Sequence, residues 1–277
     1  MSRFLIICAL LLAGPARALT PADTPTIVAD IAPVHGLVAA VMGDLGAPDL
    51  LLPPDDDPHG YQLRPSQARA LASADLVIWI GPALTPWMDR MLRNLDATHL
   101  DLLAADAIDP HGWLDPVQAE TYLTRIAAEL AALDPANAGT YQQNAALAVA
   151  RLTDLRQTLR TQLADNDADL IPSHDAYGGF FAAFDLHSDA AISDHQAHQP
   201  GAAHLHDISE HLHDADHACI LAEPGQEPAI RKTLQPDAHV AIVTVDPIGA
   251  AIPLGPDHYF ALLQSIADAI SSCETSH

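Results

Sequence analysis

Basic residues are scarce in this chain: 12 Lys and Arg stand against 36 Asp and Glu over 277 residues, a net charge of −24. Lys232 is the single lysine. A surface of that sign repels phosphate backbones and attracts cations, which excludes nucleic acid as a partner. Aromatic residues are also few, at 5 %, but 49 % of the residues are hydrophobic and they are spread throughout. Disorder is thereby excluded, and the length suits about two domains. Neither HExxH nor a nucleophile motif occurs, which argues against the common hydrolase chemistries. Histidine, in contrast, is abundant, with 16 residues.

Long apolar runs are missing as well, apart from one at the N-terminus. Arg3 precedes an apolar stretch over residues 4–13, and Ala16-Arg17-Ala18 follows as a small-x-small site. That pattern predicts a secretory signal peptide over residues 1–18, cleaved near Ala18 and too short to span a bilayer. Only seven residues precede Cys8, which leaves no room for a lipoprotein signal. The mature chain is expected to be exported, without stable membrane insertion. It retains Cys219 and Cys273. In an oxidising compartment pairing is the default, closing a loop worth roughly 4 kcal/mol. A buried free thiol and a thiolate metal ligand are the competing readings, although neither cysteine lies in a CxxC.

Short apolar runs then alternate with helical patterns. Strands are predicted over residues 26–31, 49–52, 76–80, 170–171, 190–193, 218–222 and 239–245. Helices are predicted over 34–42, from 65, and over 116–132, 176–184, 203–216, 229–235 and 257–272. The continuous apolar run at 76–80 is the mark of a strand buried on both faces, as in parallel sheets covered by helices. Asp134-Pro135 supplies a helix start, after which Gly139 is the sole weak point for some thirty residues. The reading is α/β: an N-terminal parallel-sheet domain (19–134), one long rigid linking helix (135–165) and a C-terminal parallel-sheet domain (166–277).

Four turns carry the notable polar residues: Asp57-Pro58-His59-Gly60-Tyr61, leading to Arg64-Pro65-Ser66; Asp109-Pro110-His111-Gly112-Trp113-Leu114-Asp115-Pro116; Ser173-His174-Asp175-Ala176-Tyr177; and Asp246-Pro247-Ile248-Gly249. Each follows a predicted strand or opens a helix. Ligands of parallel sheets bind where such loops gather. Three histidines and one aspartate, two on each side of the long helix, are thus candidates to meet in an interdomain cleft. Taken singly, each has a plainer reading as turn punctuation or a helix cap.

In this order and spacing the turns resemble those of the solute-binding proteins of zinc and manganese ABC importers, most closely the periplasmic zinc branch. The resemblance covers nearly the whole mature chain, including Ala222-Glu223-Pro224 and the Cys219/Cys273 pair. It implies two α/β domains on a rigid helix with a metal ion between them. His59, His111 and His174 match the family's histidine ligands, and Asp246 matches the carboxylate that completes the site. Three imidazoles and a carboxylate suit Zn2+, whereas manganese prefers oxygen-rich shells and its branch has a carboxylate where His174 stands. The sequence departs from the zinc branch in lacking a long His-rich loop between the first two ligand turns. Pro58 also stands where some members have an acidic residue.

Seven histidines crowd residues 195–217. On a helix from 203, Leu205, Ile208, Leu212 and Ala215 form the buried stripe. His206, His213 and His217 flank it on one side, and His204 and His211 on the other. These five are either a solvated face or an auxiliary, weaker zinc site, with His213 and His217 spaced to share an ion. His35, His187, His239 and His258 read as ordinary histidines. The implied function is capture of Zn2+ in the periplasm and delivery, as a monomer, to a permease with its ATPase, with a zinc donor protein as a candidate partner. A zinc hydrolase with an open fourth position is the alternative from another class, and a manganese-binding or adhesin-type relative is the alternative within the family. With reference imidazoles near ~6.5, three ligands are expected to titrate together and affinity to fall steeply between about pH 7 and 5.

Overall fold

The computed structural model describes residues 24–95, 97–104, 106–215, 217–237 and 240–273. The signal peptide expected over residues 1–18 lies outside the described residues.

Two parallel sheets dominate. The first has the order β2-β1-β3-β4, from β1 (Ile27–Ala29), β2 (Asp49–Leu50), β3 (Leu76–Trp79) and β4 (His99–Asp101). Every pairing in it is parallel, with Ile78 set between Ala29 and Leu100. The second, β5 (Asp169–Pro172), β6 (Ala218–Ala222) and β7 (Ala241–Thr244), is parallel too, with Ile171 opposite Ile220 and Ile220 opposite Ile242. All residues of β1, β3 and β6 are buried, as their continuous apolar runs require of strands covered on both faces.

The helices of the N-terminal half are α1 (Ala32–Met42), α2 (Pro65–Ser73), α3 (Pro86–Leu95) and α4 (Pro116–Leu133). Local chemistry sets several of their starts. Asp115 caps α4 by accepting the N–H groups of Val117 and Gln118, and Pro116 follows with its φ already helical. Gln67 accepts the Arg64 N–H at the start of α2. After a 3₁₀ turn at Pro135–Asn137, the long helix α5 (Ala138–Gln162) runs for 25 residues, about 37 Å at the helical rise. It is shorter than the expected 135–165 because the first turn is 3₁₀ and the backbone leaves the helix at Leu163.

The C-terminal half adds α6 (Gly178–Phe184), α7 (Ala202–Asp214), α8 (Glu227–Leu234) and α9 (His258–Ser271). Helix α9 packs on α1 and α5. Val34, Leu37, Leu152, Tyr259 and Leu262 consequently belong to one buried cluster that spans both halves.

Residues 190–193 do not form the expected strand. The segment still lies along β5: Ile192 N–H donates to Pro172 O (2.9 Å) and Ser193 N–H to Ser173 O (3.2 Å). The apolar run is only Ala190-Ala191-Ile192, with Ser193 and Asp194 following, so there is little apolar sequence to extend these two bonds into a ladder. Among the described residues the C-terminal sheet therefore has three regular strands rather than the four predicted from the sequence pattern. Helix α3 and strand β4 were absent from the sequence reading.

Cys219 in β6 and Cys273 beyond α9 form a disulfide across 54 residues, and both are buried. Replacing both by alanine is expected to lower stability by roughly 2–4 kcal/mol, since the unfolded chain regains that loop's freedom. The melting temperature should then fall by on the order of 10 °C. An unchanged melting curve would show that the bridge does not constrain the unfolded state.

Candidate metal centre

Each of the four residues expected in the cleft follows the carboxyl end of a parallel strand, where the loops of such sheets gather. His59 lies beyond β2, His111 beyond β4, His174 two residues past β5 and Asp246 two residues past β7. A cavity of about 580 Å³ is lined by His59, His111, Trp113, His174, Glu223 and Asp246, among others, and so takes walls from both halves.

The three imidazoles converge. One nitrogen from each of His59, His111 and His174 lies within 4.8 Å of the others. The His59 and His111 Nε2 atoms are 3.4 Å apart. Two tetrahedral ligands at ~2.0–2.1 Å from zinc stand about 3.3 Å apart, so this separation matches a shared ion. His111 and His174 are buried, and the rings meet edge to face at 4.6–5.4 Å between centroids.

Carboxylates orient two of the rings. His111 donates from Nδ1 to Asp109 Oδ1 at 2.8 Å, leaving its Nε2 lone pair toward His59. Asp109 is itself held by the His111 backbone N–H (2.9 Å), the turn that its position two residues ahead produces. His174 Nδ1 is 3.0 Å from Glu223 Oε1. Carboxylate–imidazole pairs of this kind fix the tautomer and raise the basicity of metal-binding histidines. Sequence reasoning gave neither Asp109 nor Glu223 a role. The Asp-x-His spacing was the available signal for Asp109. For Glu223, 49 residues from His174, no local signal exists.

Burial pushes His111 down to about 4 despite the opposing Asp109 contact. Burial also holds His59 below its ordinary value. In His174 burial again lowers the value, but the hydrogen bond and charge of Glu223 outweigh it, and the net shift is upward. The Asp109 carboxyl is raised by burial and lowered more by its His111 contacts, ending below the usual range.

Asp246 lines the cavity without joining the close cluster. Its Oδ1 accepts the Ile248 N–H (2.9 Å) and its Oδ2 the Ala250 N–H (2.7 Å), which shapes the turn around Gly249, a residue with φ of +72°. Trp113 ties the second ligand turn to this one by donating from Nε1 to Pro247 O at 2.8 Å, and Tyr259 Oη donates to Trp113 O at 2.7 Å. Gly112, between His111 and Trp113, has no room for a side chain, because a Cβ there would stand 2.3 Å from Tyr122 Oη.

The five histidines of the auxiliary set do not gather. His204 reaches Ala191 O, His206 Glu210, His211 Asp169, His213 Asp237 and His217 Asp167. Helix α7 ends at Asp214, so His217 lies past it and does not share a helical face with His213. His195, from the same stretch, instead stands at the cleft, with its carbonyl 3.3 Å from His174 Nε2.

A family model described as zinc-uptake complex component A, periplasmic (ZnuA), matches residues 27–273. The high-affinity zinc uptake system protein ZnuA of Paracoccus denitrificans is 33 % identical over 94 % of this chain and 93 % of its own. That of Brucella abortus is 26 % identical over 97 % of each. Among solved structures, the SBP FpvC of P. aeruginosa in complex with Ni2+ superposes with a TM-score of 0.78 at 22 % identity, covering 92 % of this chain and 98 % of that one. With a match from the first strand to the second disulfide cysteine, the chain belongs to the ZnuA family of zinc-uptake complex components.

Proposed function

We propose that the mature chain captures Zn2+ in the periplasm and delivers it to the membrane permease and ATPase of an ABC importer. The observation that carries this reading is the convergence of His59, His111 and His174 at zinc-ligand spacing in a cavity between the two sheets. Relatives named as high-affinity zinc uptake proteins support the same cargo. Asp246 supplies the fourth ligand, since each of its oxygens holds one backbone N–H and keeps a lone pair for the ion. A shell closed in this way leaves no water position to activate, and the chain acts as a carrier rather than a hydrolase. Among the described residues no helix is long and apolar enough to cross a membrane, so the permease is a separate chain in this reading.

Growth under zinc limitation tests the proposal. A strain deleted for this gene should fail in chelator-treated medium, and the wild-type gene should restore growth. A His59→Ala/His111→Ala/His174→Ala gene should not. Equal rescue by that variant would sink the reading.

A further inference from the structure

At the end of β5 remote from the cleft, a second group of metal-ligand side chains converges. Asp169 opens the strand and His174 follows it, so at ~3.3 Å per residue the two lie about 16 Å apart. Donor atoms of Asp169, His187 and Asp189 all lie within 4.8 Å of one another. His187 Nε2 is 3.3 Å from Asp189 Oδ2. His211, from α7, makes a short contact from Nε2 to Asp169 Oδ2 and brings a second imidazole to the same carboxylate.

The backbone pins these residues together. Leu170 N–H donates to His187 O at 3.0 Å, and Asp189 N–H donates to Asp169 Oδ1 at 3.2 Å. The loop carrying His187 and Asp189 is thus fastened to the strand carrying Asp169. The Asp169 side chain is 13 % exposed and those of His187 and Asp189 62 % and 60 %, a sheltered floor under open walls.

From this juxtaposition we infer that Asp169, His187, Asp189 and His211 form a second site for Zn2+ or a similar borderline divalent cation, separate from the cleft. Two imidazoles and two carboxylates are a four-donor set that zinc accepts, whereas calcium and magnesium take oxygen ligands. The ion neutralises two neighbouring carboxylates and clamps the stretch from His187 to Ile192 against β5. It binds more weakly than the cleft does, because two exposed side chains must be ordered to hold it. The site uses one histidine of the His-rich stretch together with His187, which the sequence had marked as ordinary.

Equilibrium dialysis of the full mature chain against Zn2+, with Co2+ as a spectroscopic probe, tests the inference independently of the cleft. The wild type is expected to take up two ions per chain. His187→Gln/His211→Gln should lose the weaker one and keep the tighter. His59→Ala/His111→Ala/His174→Ala should lose the tighter one and keep the weaker, with the visible Co2+ band of a tetrahedral site. Circular dichroism reports whether each variant is folded. The inference is overturned if the folded cleft variant binds no ion, or if the distal variant still binds two. Were the cleft reading wrong instead, the cleft variant would bind as the wild type does while the distal variant still lost its ion.

Discussion

Replacing His111 by alanine is expected to abolish tight zinc binding, with a loss larger than about 100-fold. The reference is the roughly 10–100-fold cost of removing a hydrogen-bonding partner of a ligand, since deleting a ligand removes the bond itself. His111 should be the most damaging of the three histidines. Its ring is buried and already held by Asp109, with Nε2 3.4 Å from that of His59, so its contribution is preorganised. Alanine also leaves Asp109 as a sheltered carboxylate without its imidazole. His59→Ala and His174→Ala should each be severe, and Asp246→Ala milder, because water can replace a single oxygen. Asp109→Asn and Glu223→Gln should fall in the ~10–100-fold range set by orienting partners. Competition calorimetry against a chelator measures all six. A His111→Ala protein with wild-type affinity would remove that residue from the shell.

The ligand turns could be read from the sequence because each is a local object. Asp-Pro-His and Ser-His-Asp announce themselves within a few residues, and Ser-His-Asp sits directly after a strand whose last three residues are buried. What surrounds the turns was not legible to the same degree. Glu223 reaches His174 only because β5 and β6 are neighbours in parallel register, with Pro172 opposite Leu221, a pairing that no local pattern encodes. Strand β4 was invisible for another reason. Its three residues are His99-Leu100-Asp101, with just Leu100 fully buried, so hydrophobic periodicity had nothing to register. The distribution of the late histidines failed similarly. A helical wheel placed His213 and His217 on one face, but the helix stops at Asp214 and each ring finds its own carboxylate.

The pH dependence of zinc affinity should be shallower than the sequence alone suggests. With three ordinary imidazoles, zinc would displace up to three protons near pH 6, and affinity would drop about a thousandfold per pH unit below that point. The structure separates the three. His111, lowered to about 4 by burial, carries little proton from pH 7 to 5, and burial also holds His59 below its ordinary value. In His174 burial is outweighed by Glu223, so its value is raised above 6.5 and it does bind a proton there. Metal binding requires that ring to be deprotonated at the ligating nitrogen, so affinity is full above the His174 value and lost as pH falls through it. The expected slope between pH 7 and 5 is below three protons per zinc, because His111 contributes none there, and it steepens as His111 begins to titrate. Affinities at pH 7.5, 6.5 and 5.5, with proton release from calorimetry in buffers of different ionisation enthalpy, give the slope directly. Glu223→Gln supplies the control: without the carboxylate, His174 should lose its upward shift, so the pH-dependent fall in affinity should move to lower pH while absolute affinity drops. A release of three protons per zinc at pH 6 in the wild type would contradict the separation of the three histidines.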